Sequence, residues 1–396
     1  MSRIKKLTDD IYFVGVNDRH THLFENMIPL PYGISYNAYI ITDEKTALID
    51  TVEISFSEQF IENILLVLNG KPLDYLIVNH MEPDHSGSIK MIQRIFPKVQ
   101  IIGNSKTIGM IDGFFGLTEN MYEVKDGDIL SLGKHQLQFY LTPMVHWPET
   151  MMTYDTTTCT LFSGDAFGSF RALDGGVLDS ELNTELYWDE MRRYYANIVG
   201  KYGVPVQKAL QKLSGIDLQM ICSTHGPVWT DNIADTVAIY NKLSKYEADR
   251  GVVIAYGSMY GNTEKMAELF ASYLVDYGMP NVLVHNLSKS DPSEVLRDIF
   301  KYKGLVLGSP TYSNELYPKV NELLAKLKTR AIKNRVFGCF GSFTWAGNSV
   351  NMLKEFGAEM QWDCCQVSID QKMAGTKNNN TEIEALAKEL CSKIRE

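Results

Sequence analysis

His80-Met81-Glu82-Pro83-Asp84-His85 places four metal-competent side chains within six residues. The apolar run Leu73–Asn79 before it reads as a buried strand, and Ser86 onward, with Ile89, Met91, Ile92 and Ile95, reads as a helix. The four groups therefore fall on a strand-to-helix loop, where backbone turns can aim several side chains at one point. A lone His after a strand is more often a hydrogen-bonded core residue than a ligand. A cluster is different, because burying it unpaired is costly, so its members are solvated, mutually paired or bound to metal. Three later pieces share this character: His146 in Met144-Val145-His146-Trp147-Pro148, Asp165 in Phe162-Ser163-Gly164-Asp165, and His225 in Cys222-Ser223-Thr224-His225-Gly226. Together they supply four imidazoles and three carboxylates, more than one metal ion takes.

This order of residues resembles the metallo-β-lactamase superfamily, whose signature is H-x-H-x-D-H followed by a His, an Asp and a last His. The chain departs from it at Glu82, which stands where the second His would be. That departure resembles the flavodiiron proteins. A carboxylate in place of an imidazole makes the donor set harder and more anionic, which suits redox iron better than zinc. The resemblance implies that His80, Glu82 and His146 hold one iron, that Asp84, His85 and His225 hold the other, and that Asp165 bridges them. His85 is the ligand that fails to reach its metal in some members of the family. Two-metal sites hold their ions roughly 3.5–4 Å apart, a spacing one carboxylate spans.

The elements that position these residues belong to a chain of 396 residues, too long for one ordinary core. We expect two domains, 1–249 and 250–396. The first mixes helices with hairpin-like strands, Ala38–Thr42 with Thr46–Asp50 and Gln136–Leu141 with Thr158–Phe162, a pattern that suits an αββα sandwich. Asn232 to Ala248 reads as a helix ending in a polar stretch, after which Val252–Tyr256 begins a new strand. From there strands at Asn281–His285, Gly304–Leu307, Val336–Phe340 and Cys365–Ile369 alternate with helices at Glu264–Val275, Pro292–Lys301, Pro318–Leu327, Val350–Phe356 and Glu382–Ile394. This alternation predicts an α/β domain with a doubly wound, parallel five-stranded sheet.

Tyr256-Gly257-Ser258-Met259-Tyr260-Gly261-Asn262-Thr263 joins the first of these strands to the first helix. Hydroxyls, glycines and free backbone N–H groups at a helix N-terminus form an anion site. The turn has no Lys, so it is not a Walker A loop, and it lacks the three spaced glycines of a dinucleotide fingerprint. Gly308-Ser309-Pro310-Thr311-Tyr312-Ser313-Asn314 and Gly341-Ser342-Phe343-Thr344-Trp345-Ala346-Gly347 follow the third and fourth strands. Ligands of open α/β sheets bind outside such carboxyl ends. The three loops resemble those of flavodoxin and so imply one FMN. By that resemblance Ser258, Tyr260, Asn262 and Thr263, with Met259 and Gly261, cradle the phosphate. Thr311, Tyr312 and Asn314, with Pro310, and Ser342, Thr344, Trp345 and Gly347, with Phe343, line the isoalloxazine.

Taken together the halves resemble flavodiiron proteins over nearly the whole chain. The resemblance implies reduction of dioxygen to water, of nitric oxide to nitrous oxide, or of both, with electrons relayed through FMN to a di-iron centre. It also implies a head-to-tail homodimer, with a homotetramer as a further assembly. The chain shows no fused rubredoxin or flavin-reductase module, so a separate donor is expected, a rubredoxin or a reduced deazaflavin. Groups near open iron positions include His22, Phe24, Trp147, Tyr194 and Tyr195; of these Tyr194 and His22 are the candidate catalytic donors. The competing classes are a zinc hydrolase with a flavodoxin-like regulatory domain, against which Glu82 speaks, and an electron-transfer protein on a metal-free scaffold.

Composition limits the alternatives further. A net charge of −10 with no Lys/Arg stripe argues against nucleic acid. No apolar run is long enough to cross a bilayer, and Met1-Ser2-Arg3-Ile4-Lys5-Lys6 lacks the apolar segment of a signal peptide. Six cysteines without a C-x-x-C spacing support neither a disulfide framework nor a rubredoxin-type site. We therefore expect a cytoplasmic protein.

Overall fold

The computed structural model describes residues 4–375 and 377–395, so the first three residues, part of the leader reading, lie outside it. Two compact units form: the chain up to Tyr195 together with Val204–Asn241, and Ala196–Gly203 together with the chain from Lys242 onward.

The first unit contains two sheets. One runs in the order Lys5–Lys6, Ile11–Phe13, Tyr39–Thr42, Thr46–Ile49, Tyr75–Ile77, Gln100–Gly103, Met121–Glu123. The other runs Ile129–Ser131, Gln136–Leu141, Met151–Asp155, Thr160–Gly164, Met220–Ser223. They face each other: the Tyr39 and Phe162 rings lie 5.4 Å apart, and the Tyr39 hydroxyl donates to Ser223 O at 2.6 Å. Thr46–Ile49, Met151–Asp155 and Thr160–Gly164 are buried along their whole length, as strands covered on both faces are. This is the expected sandwich, with one correction in its pairing. Gln136–Leu141 does not pair with the strand after Cys159; Met151–Asp155 lies between them, antiparallel to both.

In the second unit the strand order is Val282–Asn286, Asp249–Tyr256, Tyr302–Tyr312, Val336–Phe343, and then a last position. All these neighbours are parallel. Numbered along the chain this is the order 2-1-3-4-5, with the reversal between the first and third strands. The last position is filled by two short pieces, Asp363–Cys364 and Ile369–Lys372, rather than by one strand over 365–369. Between them the N–H groups of Gln366 and Val367 turn to the Glu389 carboxylate, at 2.7 and 3.0 Å. The backbone satisfies its donors there without a neighbouring strand. One core packs Val252, Ile254 and Val306 of the sheet against Phe270 and Leu274 on one helix and Leu386 and Leu390 on another. Among the described residues no helix is long and apolar enough to cross a membrane.

Candidate metal centre and flavin pocket

The strand Tyr75–Ile77 ends just before the first ligand candidates, and Pro83, whose ring pre-sets a helical φ, opens the turn Pro83–Ser86. Asp84 and His85 therefore sit on one helical turn, and His80 and Glu82 on the loop before it. His146 comes from the loop before Met151–Asp155, Asp165 from the end of Thr160–Gly164, and His225 from the end of Met220–Ser223. All seven side chains are buried.

They form two groups, His80–Glu82–His146–Asp165 and Asp84–His85–His225. In the first, His146 Nε2 lies 3.0 Å from both Glu82 Oε2 and Asp165 Oδ2. His80 Nε2 lies 3.4 Å from the same two oxygens. In the second, His85 Nε2 is 3.2 Å and His225 Nε2 3.3 Å from Asp84 Oδ2. An ion about 2.0–2.2 Å from two donors at tetrahedral or octahedral angles would separate them by about 2.8–3.6 Å. Asp165 presents Oδ2 to the first group and Oδ1 to His85, at 2.9 Å. Thr224 Oγ1 donates to that same Oδ1 at 2.6 Å and fixes the carboxylate's orientation.

Protein partners leave part of this set unsatisfied. Both Asp84 oxygens and the Nε2 atoms of His85 and His225 are buried with no hydrogen-bond partner among the described residues. Buried polar atoms are seldom left so, and converging ones fit a missing cation. The carboxylates also dominate the histidines: burial works to lower His85 and His146, yet Asp84, Glu82 and Asp165 hold both up at about 9. Behind the ligands, Glu149 Oε1 lies 2.8 Å from His80 Nδ1, and His225 Nδ1 lies 2.7 Å from Ser35 O. These bonds fix each ring so that Nε2 faces the cluster.

Aromatic rings wall the site. Trp147 stands edge-on to His80 at 5.3 Å, Phe24 lies 5.8 Å from His225, and Tyr194 lies 5.3 Å from His225. The Tyr194 hydroxyl is buried without a hydrogen-bond partner among the described residues, and burial raises it well above its ordinary value. Tyr195 packs instead on Tyr240, at 5.1 Å. His22 is exposed, whereas Tyr194 is buried beside the cluster. Three residues after His22, Glu25 stands at the tip of the hairpin Leu23–Phe24/Ile28–Pro29; burial and the neighbouring Glu82 charge push its carboxyl up to about 7. Sequence reasoning missed Glu25, Glu149 and Thr224. The last two stood beside named ligands, three residues after His146 and one before His225, whereas nothing local marked Glu25.

In the second unit a cavity of about 560 Å³ opens at the carboxyl ends of the strands, where strand order reverses. Its walls include Ser258, Met259, Tyr260, Asn262 and Thr263 from the first loop, Pro310, Thr311, Tyr312 and Asn314 from the second, and Ser342, Phe343, Thr344 and Trp345 from the third. Ser313 and Ala346 also line it. Two expected residues act from behind. Gly261 has φ +90° before the helix Asn262–Asp276, and at Gly347 a Cβ would meet Asp370 Oδ2 at 2.6 Å and the Phe343 ring at 2.8 Å. Thr263 Oγ1 and Ser342 Oγ, 2.9 Å apart, join the first and third loops. The helix N-terminus suits a phosphate, and exposed Tyr312 and Trp345 suit a flat ring, so the cavity fits FMN.

A β-lactamase-like sandwich with two carboxylate-linked ligand groups, joined to a flavodoxin-like sheet, defines an iron–flavin class of protein. Residues 34–226 match the family described as ODP family beta lactamase, and residues 254–393 match flavodoxin. The anaerobic nitric oxide reductase flavorubredoxin of Pectobacterium atrosepticum is 34% identical over 354 residues, covering 87% of this chain and 69% of that protein. The Salmonella paratyphi B protein of the same name is 35% identical, over 87% and 73%. Among solved structures, the rubredoxin oxygen:oxidoreductase of Desulfovibrio gigas superposes with a TM-score of 0.95 at 30% identity over 99% of both chains. The flavodiiron protein of Giardia intestinalis gives 0.94 at 26% identity, over 100% of this chain and 99% of that one. The chain belongs to the flavodiiron proteins. It is an oxidoreductase whose cofactors are FMN and a pair of irons.

Proposed function

We propose that this protein reduces dioxygen to water, nitric oxide to nitrous oxide, or both, taking electrons through FMN from a separate donor. The observation that carries this reading is the split of Asp165 between two ligand groups, one of which contains Glu82. His80, Glu82, His146 and Asp165 would hold one iron, and Asp84, His85, His225 and Asp165 the other. The described cavity, with Gly261 and Gly347 shaping its loops, would hold FMN. When bound, the flavin exchanges electrons singly or in pairs, and the irons cycle between ferrous and ferric states.

The protein's own groups then have distinct tasks. Glu82, Asp84 and Asp165 supply the negative charge that favours the higher oxidation state. Phe24, Trp147 and Tyr194 exclude bulk water, which strengthens every charge interaction within. Tyr194 keeps its proton at neutral pH and is free to donate a hydrogen bond, so we assign it, rather than His22, as the donor beside the centre. Tyr194→Phe should lower turnover about tenfold with iron content unchanged.

Functionally, residues 1–249 carry the metal chemistry and 250–396 the flavin, in the cytoplasm. A rubredoxin or a reduced deazaflavin is the proposed donor. A head-to-tail homodimer is the proposed working unit, as the family resemblance implies, and pairing of dimers into a tetramer is its extension.

The test is anaerobic stopped-flow of the reduced protein against dioxygen and, separately, nitric oxide, after iron and FMN have been quantified. Rapid reoxidation by either gas, on protein holding about two irons and one FMN per chain, supports the reading. Zinc in place of iron, or reduced protein inert to both gases, overturns it.

A further inference from the structure

The two ligand groups differ behind the imidazoles. On the first, Glu149 is fully buried and its Oε1 takes two hydrogen bonds, from His80 Nδ1 at 2.8 Å and from Met81 N at 2.9 Å. One carboxylate oxygen therefore holds both a ligand ring and the peptide between two ligands. Its own backbone is held in turn: Asn104 Nδ2 donates to Glu149 O at 2.5 Å, while Asn104 Oδ1 caps the helix Ser105–Phe115. On the second group the corresponding groups are neutral or missing. His225 Nδ1 meets the carbonyl of Ser35, and His85 Nδ1 has no hydrogen-bond partner among the described residues. The buried Asp50 carboxyl lies within electrostatic reach of His85 but leaves its Nδ1 without a hydrogen bond, because its oxygens accept from Asn79 N at 2.7 Å and Asn79 Nδ2 at 3.1 Å.

A carboxylate accepting from a ligand imidazole makes the other ring nitrogen a stronger donor and adds negative charge near the ion. Both effects favour binding, and both favour the more highly charged oxidation state. We infer that Glu149 is a positioning residue that makes the His80–Glu82–His146 site the tighter and the lower-potential of the two. The iron there is the last to leave under a chelator and the last to be reduced. This rests on the proposal that the two groups hold iron.

Limited chelation of the iron-loaded protein, followed by anomalous scattering at the iron edge, tests the order of loss directly. Residual iron on His80, Glu82 and His146 is the expected result; residual iron on Asp84, His85 and His225, or equal loss from both, overturns the inference. Glu149→Gln then separates charge from shape, since both hydrogen bonds fall on one oxygen that an amide can supply. In this variant anaerobic ferrous titration should show the first site weakened 10- to 100-fold, roughly the range for such partners. The lower of the two iron potentials should also rise toward the higher. Affinities and potentials that stay at their wild-type values in Glu149→Gln overturn the assignment to Glu149. Wild-type protein that takes up no iron overturns the underlying metal reading instead, so the two failures are distinct.

Discussion

Asp165 and His85 meet across 2.9 Å, Oδ1 to Nε2, while the other oxygen of Asp165 belongs to the first ligand group. A single side chain is thus common to both halves of the cluster. Asp165→Ala should cost more metal than loss of any one histidine. We expect iron to fall below one per chain and gas reduction to drop at least ~100-fold. Iron analysis of the purified variant checks this; retention of two irons would rule out a bridging role.

His135 joins the two sheets of the first unit at one end. Its Nδ1 lies 2.8 Å from Asp155 Oδ2 and its Nε2 3.3 Å from Asp10 Oδ2, with Asp43 accepting from its backbone N–H and Lys134 paired to Asp10. The Asp155 hydrogen bond raises His135 above its ordinary value, so its contribution is complete below about pH 6.5 and is lost as pH rises through the raised value. Asp155 works in the opposite sense. Burial would raise it, but His135 brings it below the ordinary carboxylate value, so its share is lost as pH falls through that lowered value. His135→Asn should therefore destabilise most in mildly acid buffer, by about 1–3 kcal/mol, and the gap to wild type should narrow as pH rises through the raised value. Melting temperatures of both proteins across that range decide it.

Arg335 is buried with its guanidinium bonded to five backbone carbonyls, those of Ile299, Phe300, Tyr246, Lys333 and Asn334. Burial lowers it to about 10, so it remains a cation at neutral pH. Two of those carbonyls close the helix Pro292–Lys301, where a positive charge is favourable. Arg335→Leu leaves buried acceptors unpaired and should cost about 3–5 kcal/mol. Urea unfolding followed by the return of flavin fluorescence on FMN release measures it, and a loss under about 1 kcal/mol would contradict this account.

Trp345 is 88% exposed at the cavity wall, which leaves its ring face free for a ligand. Stacking on a flavin should be worth about 1–2 kcal/mol, so Trp345→Ala should weaken FMN about tenfold. Fluorescence titration of the apoprotein reads this directly, and unchanged affinity would remove Trp345 from the site.

The clustering of the ligand candidates was legible because chemistry compressed four of them into a few residues: a run such as His80–His85 has few bland explanations. The strand Met151–Asp155 was not, since all five residues are buried and the usual alternation is absent. The break at 365–369 was hidden for another reason. It depends on Glu389, more than twenty residues away, whose carboxylate supplies the acceptors that a neighbouring strand would have provided. Glu25 illustrates the same limit at the centre itself, because only the fold of its hairpin brings it to Glu82.

The segment Ala196–Gly203 belongs to the compact unit that otherwise begins at Lys242. Asn197 Nδ2 donates to Ser293 O at 3.1 Å, and the space at Gly200 is closed by the Phe300 ring. A nick at Asp249 would therefore not release a free flavodoxin. The two fragments would stay together as a complemented pair, and the shorter piece expressed alone would lack a strip of its own surface.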